Sequence, residues 1–419
     1  MERRVFLAGA LGATSAMASP GERVRVAMIG VRGRGAALTG DVLALEGMEV
    51  AALVDVDDRV VARVRKMVSE KQGREPVHHR DLRRALDDQS IDAVIIATPD
   101  HWHAPAAILA CAAGKDVYVE KPCSHTVREG RLMVGAARAH KRVMQVGTQA
   151  RSRGSIQRGV AVARSGVLGK VRMAKAWNVQ MRENIGRGKE GPPPAEVDYD
   201  LWLGAAEAVP FRDNRFHYNW HWWWNFGTGD MGNDGVHQID MARWALGVEA
   251  PVRASGWGRK TFFDDDQQTP DSMNITFDYP GGEALVSEQR IWNPYGMNEQ
   301  ENGVAVYGTE GRIEIARWDR KWGYRLFDRK GKLVKADQEP GEEGHMRNFL
   351  ECVRSRKRAN ADIEIGHAST LHAHLGNIVA RTGRNVEFDP AAETIRGDAE
   401  AGALLTRRYR KHWAAPKGA

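Results

Sequence analysis

The stretch Val24-Arg25-Val26-Ala27-Met28-Ile29-Gly30-Val31-Arg32-Gly33-Arg34-Gly35 decides the fold of this chain. Its first six residues alternate and then run apolar, as a strand of a buried parallel sheet does. Three glycines follow within six residues, and 36–45 opens a helix. A strand, a glycine turn and a helix in succession set the positive end of a helix at the carboxyl end of a strand, which suits a phosphate. Gly30 permits the tight turn and Gly35 the close packing of helix on strand. Where the usual fingerprint has a glycine between them, this chain has Arg32; either Gly33 moves the close approach by one residue or the Arg32 side chain folds outward. Asp55 lies 20 residues after Gly35, at the end of a second apolar run over 49–55. A carboxylate there accepts hydrogen bonds from an adenosine ribose and repels a 2′-phosphate. NAD is therefore the expected cofactor, with Arg32 the residue that would admit NADP.

Outward from this stretch, strand and helix keep alternating. The segment 81–88 reads as the end of a helix, 91–99 as a buried strand, 105–113 as a helix and 116–119 as the next strand. This spacing predicts an α/β fold with a doubly wound parallel sheet over 21–148. After Gly147 the texture changes to tryptophans and β-rich runs at 171–179, 272–279, 282–292, 303–307 and 312–316. Pro280-Gly281-Gly282 and Thr309-Glu310-Gly311 read as hairpin turns, 186–194 as a loop, and 344–355 and 367–382 as late helices. The expectation over 149–387 is an α+β domain built on a large, open, mostly antiparallel sheet. Residues 388–419 are expected to form a tail packed on the body.

The chain has 419 residues, 42% hydrophobic and 27% charged, with a formal charge of +7. The basic residues are interleaved with acids, as in Val54-Asp55-Val56-Asp57-Asp58-Arg59, so no nucleic-acid partner is expected. Three cysteines, Cys111, Cys123 and Cys352, supply neither a disulfide framework nor metal-ligand spacing, and no metal is expected. Met1-Glu2-Arg3-Arg4-Val5-Phe6-Leu7, a short small-residue stretch and Ala16-Met17-Ala18 read as a twin-arginine export signal over 1–20. The expected location is thus periplasmic or secreted, without a membrane anchor.

Two further stretches carry chemistry. Glu120-Lys121-Pro122 ends the strand at 116–119, downstream of the nucleotide-type turn. A lysine at that place brings an amine to a cofactor's reactive end, where burial can tune it to exchange protons with a substrate hydroxyl. The second stretch runs from Asn219-Trp220-His221-Trp222-Trp223-Trp224 through Gly232-Asn233-Asp234-Gly235-Val236-His237-Gln238-Ile239-Asp240. Glycines lead into a helix carrying His237, and Asn233, four residues earlier, shares its face if that segment is helical. Trp222, Trp223 and Trp224 fit core or subunit packing, with room for one to stack on a ligand. His101 and His103, after the strand at 91–99, fit cofactor or substrate contact and helix capping equally.

With the turn at 30–35, Asp55, Thr98-Pro99-Asp100-His101-Trp102-His103, Glu120-Lys121-Pro122 and Gly235-Val236-His237-Gln238-Ile239-Asp240, the chain resembles the Gfo/Idh/MocA oxidoreductases. The C-terminal pattern of His345, Asn348-Phe349 and His374-Leu375-Gly376-Asn377 resembles an exported branch of that family. The resemblance implies a Rossmann domain and a nicotinamide cofactor touching Gly30, Arg32, Gly33, Gly35, Asp55, Thr98, Pro99, His103, Glu120 and Lys121. It implies a substrate domain whose open sheet supports a homodimer or homotetramer. It also implies a catalytic pair, Lys121 and His237, at a sugar carbinol. Many members carry an aspartate four residues before that histidine; here it is Asn233, which can orient an imidazole but not stabilise imidazolium by charge. Asp234 is about 100° further round a helix and is not expected to take its place.

The leading expectation is an NAD(P)-dependent oxidoreductase acting on a sugar, polyol or glycoside, with a tightly held cofactor. A second class is glycoside cleavage by oxidation, elimination and reduction, against which Lys121 counts because that branch tends to lack it. A third is a non-catalytic sugar-binding protein on the same scaffold, kept open by Arg32 and Asn233.

Overall fold

The computed structural model describes residues 23–297, 300–339 and 344–418. The export signal expected at 1–20 lies outside the described residues. Six strands form the first sheet: β1 (Val24–Ile29), β2 (Met48–Val54), β3 (Val77–His79), β4 (Ala93–Ile96), β5 (Asp116–Val119) and β6 (Met144–Val146). They lie in the order β3-β2-β1-β4-β5-β6, all parallel. The strand order reverses between β1 and β4, and the carboxyl ends there open a crevice where ligands bind in such sheets. Helices α1 (Arg34–Leu43), α2 (Asp58–Gln72), α3 (Leu82–Asp87), α4 (Asp100–Ala112) and α5 (Val127–Ala139) complete this half.

Two features here differ from the sequence reading. The segment 81–88 is a separate short helix capped by the Asp81 carboxylate, not the end of a longer one. Before it runs β3, an edge strand of three residues with no apolar run to announce it. The helix α4 also begins five residues earlier than expected, so His101, Trp102 and His103 lie in its first turn.

The second sheet has ten strands: β7 (Val171–Val179), β8 (Arg253–Arg259), β9 (Ser272–Asp278), β10 (Ala284–Arg290), β11 (Asn302–Gly308), β12 (Gly311–Trp318), β13 (Lys321–Asp328), β14 (Leu333–Glu339), β15 (Val386–Asp389) and β16 (Thr394–Arg396). Their order is β14-β13-β12-β11-β7-β10-β9-β8-β15-β16. All neighbours are antiparallel except β7 and β10. Both expected hairpin turns are present, joining β9 to β10 and β11 to β12. The strands at 253–259 and 321–339 were not read from sequence, because glycines and charges interrupt their alternation.

Helices α6 (Gly154–Ala163), α7 (Tyr199–Leu203), α8 (Val236–Leu246), α9 (His345–Ser355) and α10 (Ile363–Thr382) follow in the second half. One core joins Ile156 and Val160 of α6, Ile239 and Ala242 of α8 and Leu375 and Val379 of α10 to the inner sheet residues Ile275, Phe277, Leu285, Val304 and Ile313. The helix α9 instead packs Met346, Phe349 and Leu350 against Val26, Met28 and Tyr118 of the first sheet. The two halves therefore share buried surface, and the crevice lies between them. No helix among the described residues is long and apolar enough to cross a membrane.

Candidate active site

A cavity of about 340 Å³ runs along the carboxyl ends of β1, β2, β4 and β5 and is closed by residues 216–221 and 233 from the second half. Its glycine turn is shaped by contact. A Cβ on Gly30 would lie 2.7 Å from the Ala97 carbonyl oxygen, and one on Gly35 would lie 1.9 Å from that of Gly30. Gly33 caps α1 with φ at +44° and has open space where a Cβ would stand. Arg32 is exposed and, like Gly33, lines the cavity. Asp55 accepts hydrogen bonds from Val31 N at 2.9 Å and Asp57 N at 3.0 Å. One bond to each oxygen fixes the carboxylate and leaves lone pairs for a ribose. Burial pushes its pKa upward against those two bonds.

Further along, Thr98 and Pro99 line the cavity, and the buried Thr98 hydroxyl has no hydrogen-bond partner among the described residues. His103 sets Nδ1 2.7 Å from the Pro122 carbonyl and Nε2 2.9 Å from the Thr98 carbonyl, and as a neutral ring donates to one of them. It braces two cavity-lining segments against each other. Glu120 is buried and accepts from Arg34 Nε at 2.7 Å and Gln149 Nε2 at 3.1 Å. Burial alone would raise its pKa, but Arg34 and Lys121 outweigh that and hold it low. The ion pair ties the glycine turn to the end of β5.

Lys121 is half-buried and reaches across to the second half. Its Nζ donates to the Asn233 backbone oxygen at 2.6 Å and to Asn233 Oδ1 at 3.0 Å. Asn233 lies in a wide helical turn, Met231–Gly235, which has π-type hydrogen bonding and runs directly into α8. Such turns often mark functional sites. Here the structure corrects one expectation. The Asn233 amide orients Lys121, not His237, while its Nδ2 donates to the buried Asp230 at 3.0 Å. Asp230 explains why an amide stands there: a second carboxylate at 233 would face it without a donor. Asp234, next along, does not take the place of an aspartate at 233: its Oδ2 accepts from Gln180 and from Arg182. Burial opposes its charge, but Lys121, Arg182 and His237 hold its pKa low; Arg182 donates to it at 2.5 Å and to Asp230 at 2.8 Å.

His237 sits in the first turn of α8, half-buried, and makes no hydrogen bond to a described residue. Burial and the Lys121 ammonium push its pKa down to about 4, so the ring is neutral near pH 7. The same helix is anchored by Asp240, whose buried carboxylate takes Arg151 Nε at 2.8 Å and the Ser369 hydroxyl at 2.5 Å. The wall of the cavity includes Lys121 and Asn233 but not His237.

Three imidazoles line that wall, His103, His217 and His221; the sequence reading did not single out His221. Its Nδ1 lies 2.5 Å from the Tyr218 carbonyl, its ring stacks on Trp220 at 3.6 Å, and burial lowers its pKa to about 3. Trp220, Tyr218, Phe216, His217 and Trp202 complete an aromatic wall. Trp222 and Trp223 are buried with Phe226 and Ile291, as packing residues. Trp224 lies beneath the Arg381 guanidinium at 5.1 Å. The tryptophans lining the cavity are Trp102, Trp202, Trp220 and Trp413. The density of aromatics at 216–226 was the available signal, but only packing separates the inward rings from the cavity-facing ones.

The comparisons agree with this geometry. Residues 24–148 match the oxidoreductase family's NAD-binding Rossmann fold, and residues 170–415 match its C-terminal alpha/beta domain. The chain belongs to the Gfo/Idh/MocA family. The scyllo-inositol 2-dehydrogenase (NAD(+)) of Bacillus subtilis is 25% identical over 339 residues, 76% of this chain and 86% of that protein. An alpha-N-acetylgalactosaminidase of Shewanella oneidensis is 39% identical, but over only 130 residues, 30% of this chain and 28% of that protein. The chain spans between a quarter and a third of the length of the glycosyl hydrolase family 109 relatives it matches. Among solved structures, the aldose-aldose oxidoreductase of Caulobacter crescentus superposes with a TM-score of 0.67 at 19% identity, covering 87% of this chain and 100% of that one. The WlbA dehydrogenase of Bordetella pertussis, in complex with NADH and UDP-GlcNAcA, gives 0.67 at 15% identity, covering 88% and 99%. These two likenesses concern the fold.

The cofactor of this domain is NAD. The residues present fit it: an open cradle at Gly33, a fixed carboxylate at Asp55 and an unpartnered hydroxyl at Thr98 lie along one cavity that ends at Lys121.

Proposed function

We propose that this protein is an NAD-dependent oxidoreductase acting on a hydroxyl of a sugar, polyol or glycoside, with its cofactor held through turnover. The observation that carries this reading is the Lys121 ammonium, fixed by both oxygens of Asn233 in the wall of the dinucleotide cavity. An ammonium has three donors, and two are engaged, so one N–H remains for a substrate oxygen. When bound, NAD accepts the hydride from the carbinol carbon. His237, neutral and close in field to Lys121, takes the hydroxyl proton; Lys121 donates to the same oxygen and steadies it as the carbonyl forms. The Trp220 and Trp202 faces hold the sugar ring by its C–H surface.

Twin-arginine export carries folded proteins to a compartment with little free NAD(H). A cofactor loaded before export and recycled in place resolves that constraint, with one sugar oxidised and a second carbonyl reduced. A homodimer or homotetramer through the open face of the ten-stranded sheet belongs to the same reading, supported by the exposed Trp257 and Met173 on that sheet. The test is extended dialysis of the purified protein, then assay with paired hydroxyl and carbonyl substrates without added NAD. Retained turnover supports the reading; empty protein that needs millimolar NAD refutes the held cofactor.

A second reading, glycoside cleavage through a transient ketone, draws on His221. An imidazole on the cavity wall is the type of group that α-C–H removal uses. Release of aglycone without net NADH would favour it.

A further inference from the structure

The cavity has two ends, and their separation follows from the sheet. Asp81 and Leu82 line it just after β3, while Lys121 lines it just after β5. In the order β3-β2-β1-β4-β5 these strands are four spacings apart, or about 19 Å. That matches the span of an extended dinucleotide, with Asp55 at the end of β2 beside the ribose. If Lys121 marks the nicotinamide end, the adenine belongs at the β3 end.

The wall at that end is built from Leu82, Trp102, Leu201 and Trp413. Trp413 lies at the far C-terminus, and the segment that delivers it is fastened at several points. Pro105, inside α4, has no N–H to give the His101 carbonyl. Arg407 supplies the missing donor, with NH2 on that carbonyl at 2.8 Å. Its Nε and the Tyr409 hydroxyl both reach the buried Glu129 carboxylate, at 2.9 and 2.8 Å. Arg410 donates to the Gly204 carbonyl and the Asp200 carboxylate, each at 2.5 Å. Gly204 is glycine for a local reason: a Cβ there would lie 2.5 Å from the Trp102 ring. At the end of this strap the Arg83 guanidinium lies over the Trp413 ring at 4.1 Å, and Trp102 lies 5.8 Å from it. Trp413 stays half-buried, its remaining surface turned to the cavity.

We infer that the C-terminal strap over 405–418 is part of the dinucleotide site, with Trp413 as the stacking surface for the adenine, and that it slows cofactor release. This rests on the reading of the cavity as the NAD site with Lys121 at the nicotinamide end. The strap connects residues some 300 positions apart in sequence, Arg407 to His101 among them. It must peel back before the adenine end can open.

The test uses the full-length protein with Trp413→Ala and Trp413→Phe. Release of NADH is followed by stopped-flow displacement with excess NAD. Binding of ADP-ribose and of nicotinamide mononucleotide is measured by calorimetry, and melting of the cofactor-free proteins reports folding. Base–aromatic stacking predicts roughly a 10- to 100-fold faster NADH release and weaker ADP-ribose binding in Trp413→Ala. Mononucleotide affinity stays unchanged, and Trp413→Phe recovers most of the loss. Unaltered ADP-ribose binding in Trp413→Ala would overturn the inference. So would equal losses for ADP-ribose and mononucleotide, which would make the strap a general brace. A wild type that binds ADP-ribose but fails to turn over any sugar would leave the strap standing and remove the proposed activity instead.

Discussion

Replacing Lys121 by alanine tests the site at its centre, because the structure predicts three separate effects. The first is on rate. The ammonium spends two donors on Asn233, at 2.6 and 3.0 Å, and keeps one for the substrate oxygen. Loss of a positioned acid–base group lowers turnover by about 10²–10⁴, equivalent to roughly 3–5 kcal/mol of barrier. The second is on stability. The Asn233 oxygens lose their donor, at a cost of about 1–3 kcal/mol if they stayed dry; the cavity admits water to them, so the low end applies. The third is on pH dependence. Burial is the largest cause of the low His237 pKa and the Lys121 charge the next. With the charge gone, the acid limb of kcat/KM moves up from about 4 toward the ordinary histidine value. The assay is a pH profile of kcat/KM for wild type and variant on a sugar substrate, with NADH binding titrated in parallel and expected to change only a few-fold. Near-normal turnover would refute the role of Lys121. A large rate loss with an unmoved acid limb would refute His237 as the group that limb reports.

Further expectations follow from individual contacts. His237→Asn lowers turnover far more than Asn233→Ala, which leaves the backbone bond to Lys121 in place; rate loss in His221→Asn but not His237→Asn, with chemistry limiting, would move the base to the cavity wall. Asn233→Asp loses the donor to buried Asp230 and adds a like charge beside it, so a lower melting temperature is expected, and an unchanged one would refute the account of the amide. Asp55→Ala shifts the ratio of NAD to NADP dissociation constants toward NADP; a wild type that already prefers NADP would show that Arg32 prevails. Burial lowers the pKa of His101, His221, His372 and His374 to about 3 and of His345 to about 4. Unfolded, these groups take up protons near pH 6.5 while the native rings stay neutral. Stability is therefore lost as pH falls below about 6.5, by up to about 1.4 kcal/mol per pH unit for each ring, levelling off below about 4 for His345 and about 3 for the others. Urea midpoints that stay flat between pH 6.5 and 5 would contradict this.

Local chemistry was enough to read the parallel sheet, because a buried strand, a glycine turn and an acid-ended strand are contiguous features with short-range causes. The same holds for Asp55, for Lys121 at the end of a strand and for His237 at the start of a helix. Weaker signals failed where burial is partial: β3 has three half-exposed residues, and β8 carries glycines and charges where alternation would announce it. The wide turn at Met231–Gly235 was not read, because nothing local distinguishes it from an ordinary helical pitch. Tertiary structure alone decided the rest. It set Asn233 between Asp230 and Lys121, brought His221 and Trp220 onto the cavity wall, and carried Trp413 from the far end of the chain to the edge of the first sheet. The Lys121–Asn233 and Trp102–Trp413 pairings join residues a hundred or more positions apart, and the cavity wall takes one ring among many adjacent ones. They are settled by which surfaces pack together, and a sequence pattern of period 2 or 3.6 carries no record of that choice.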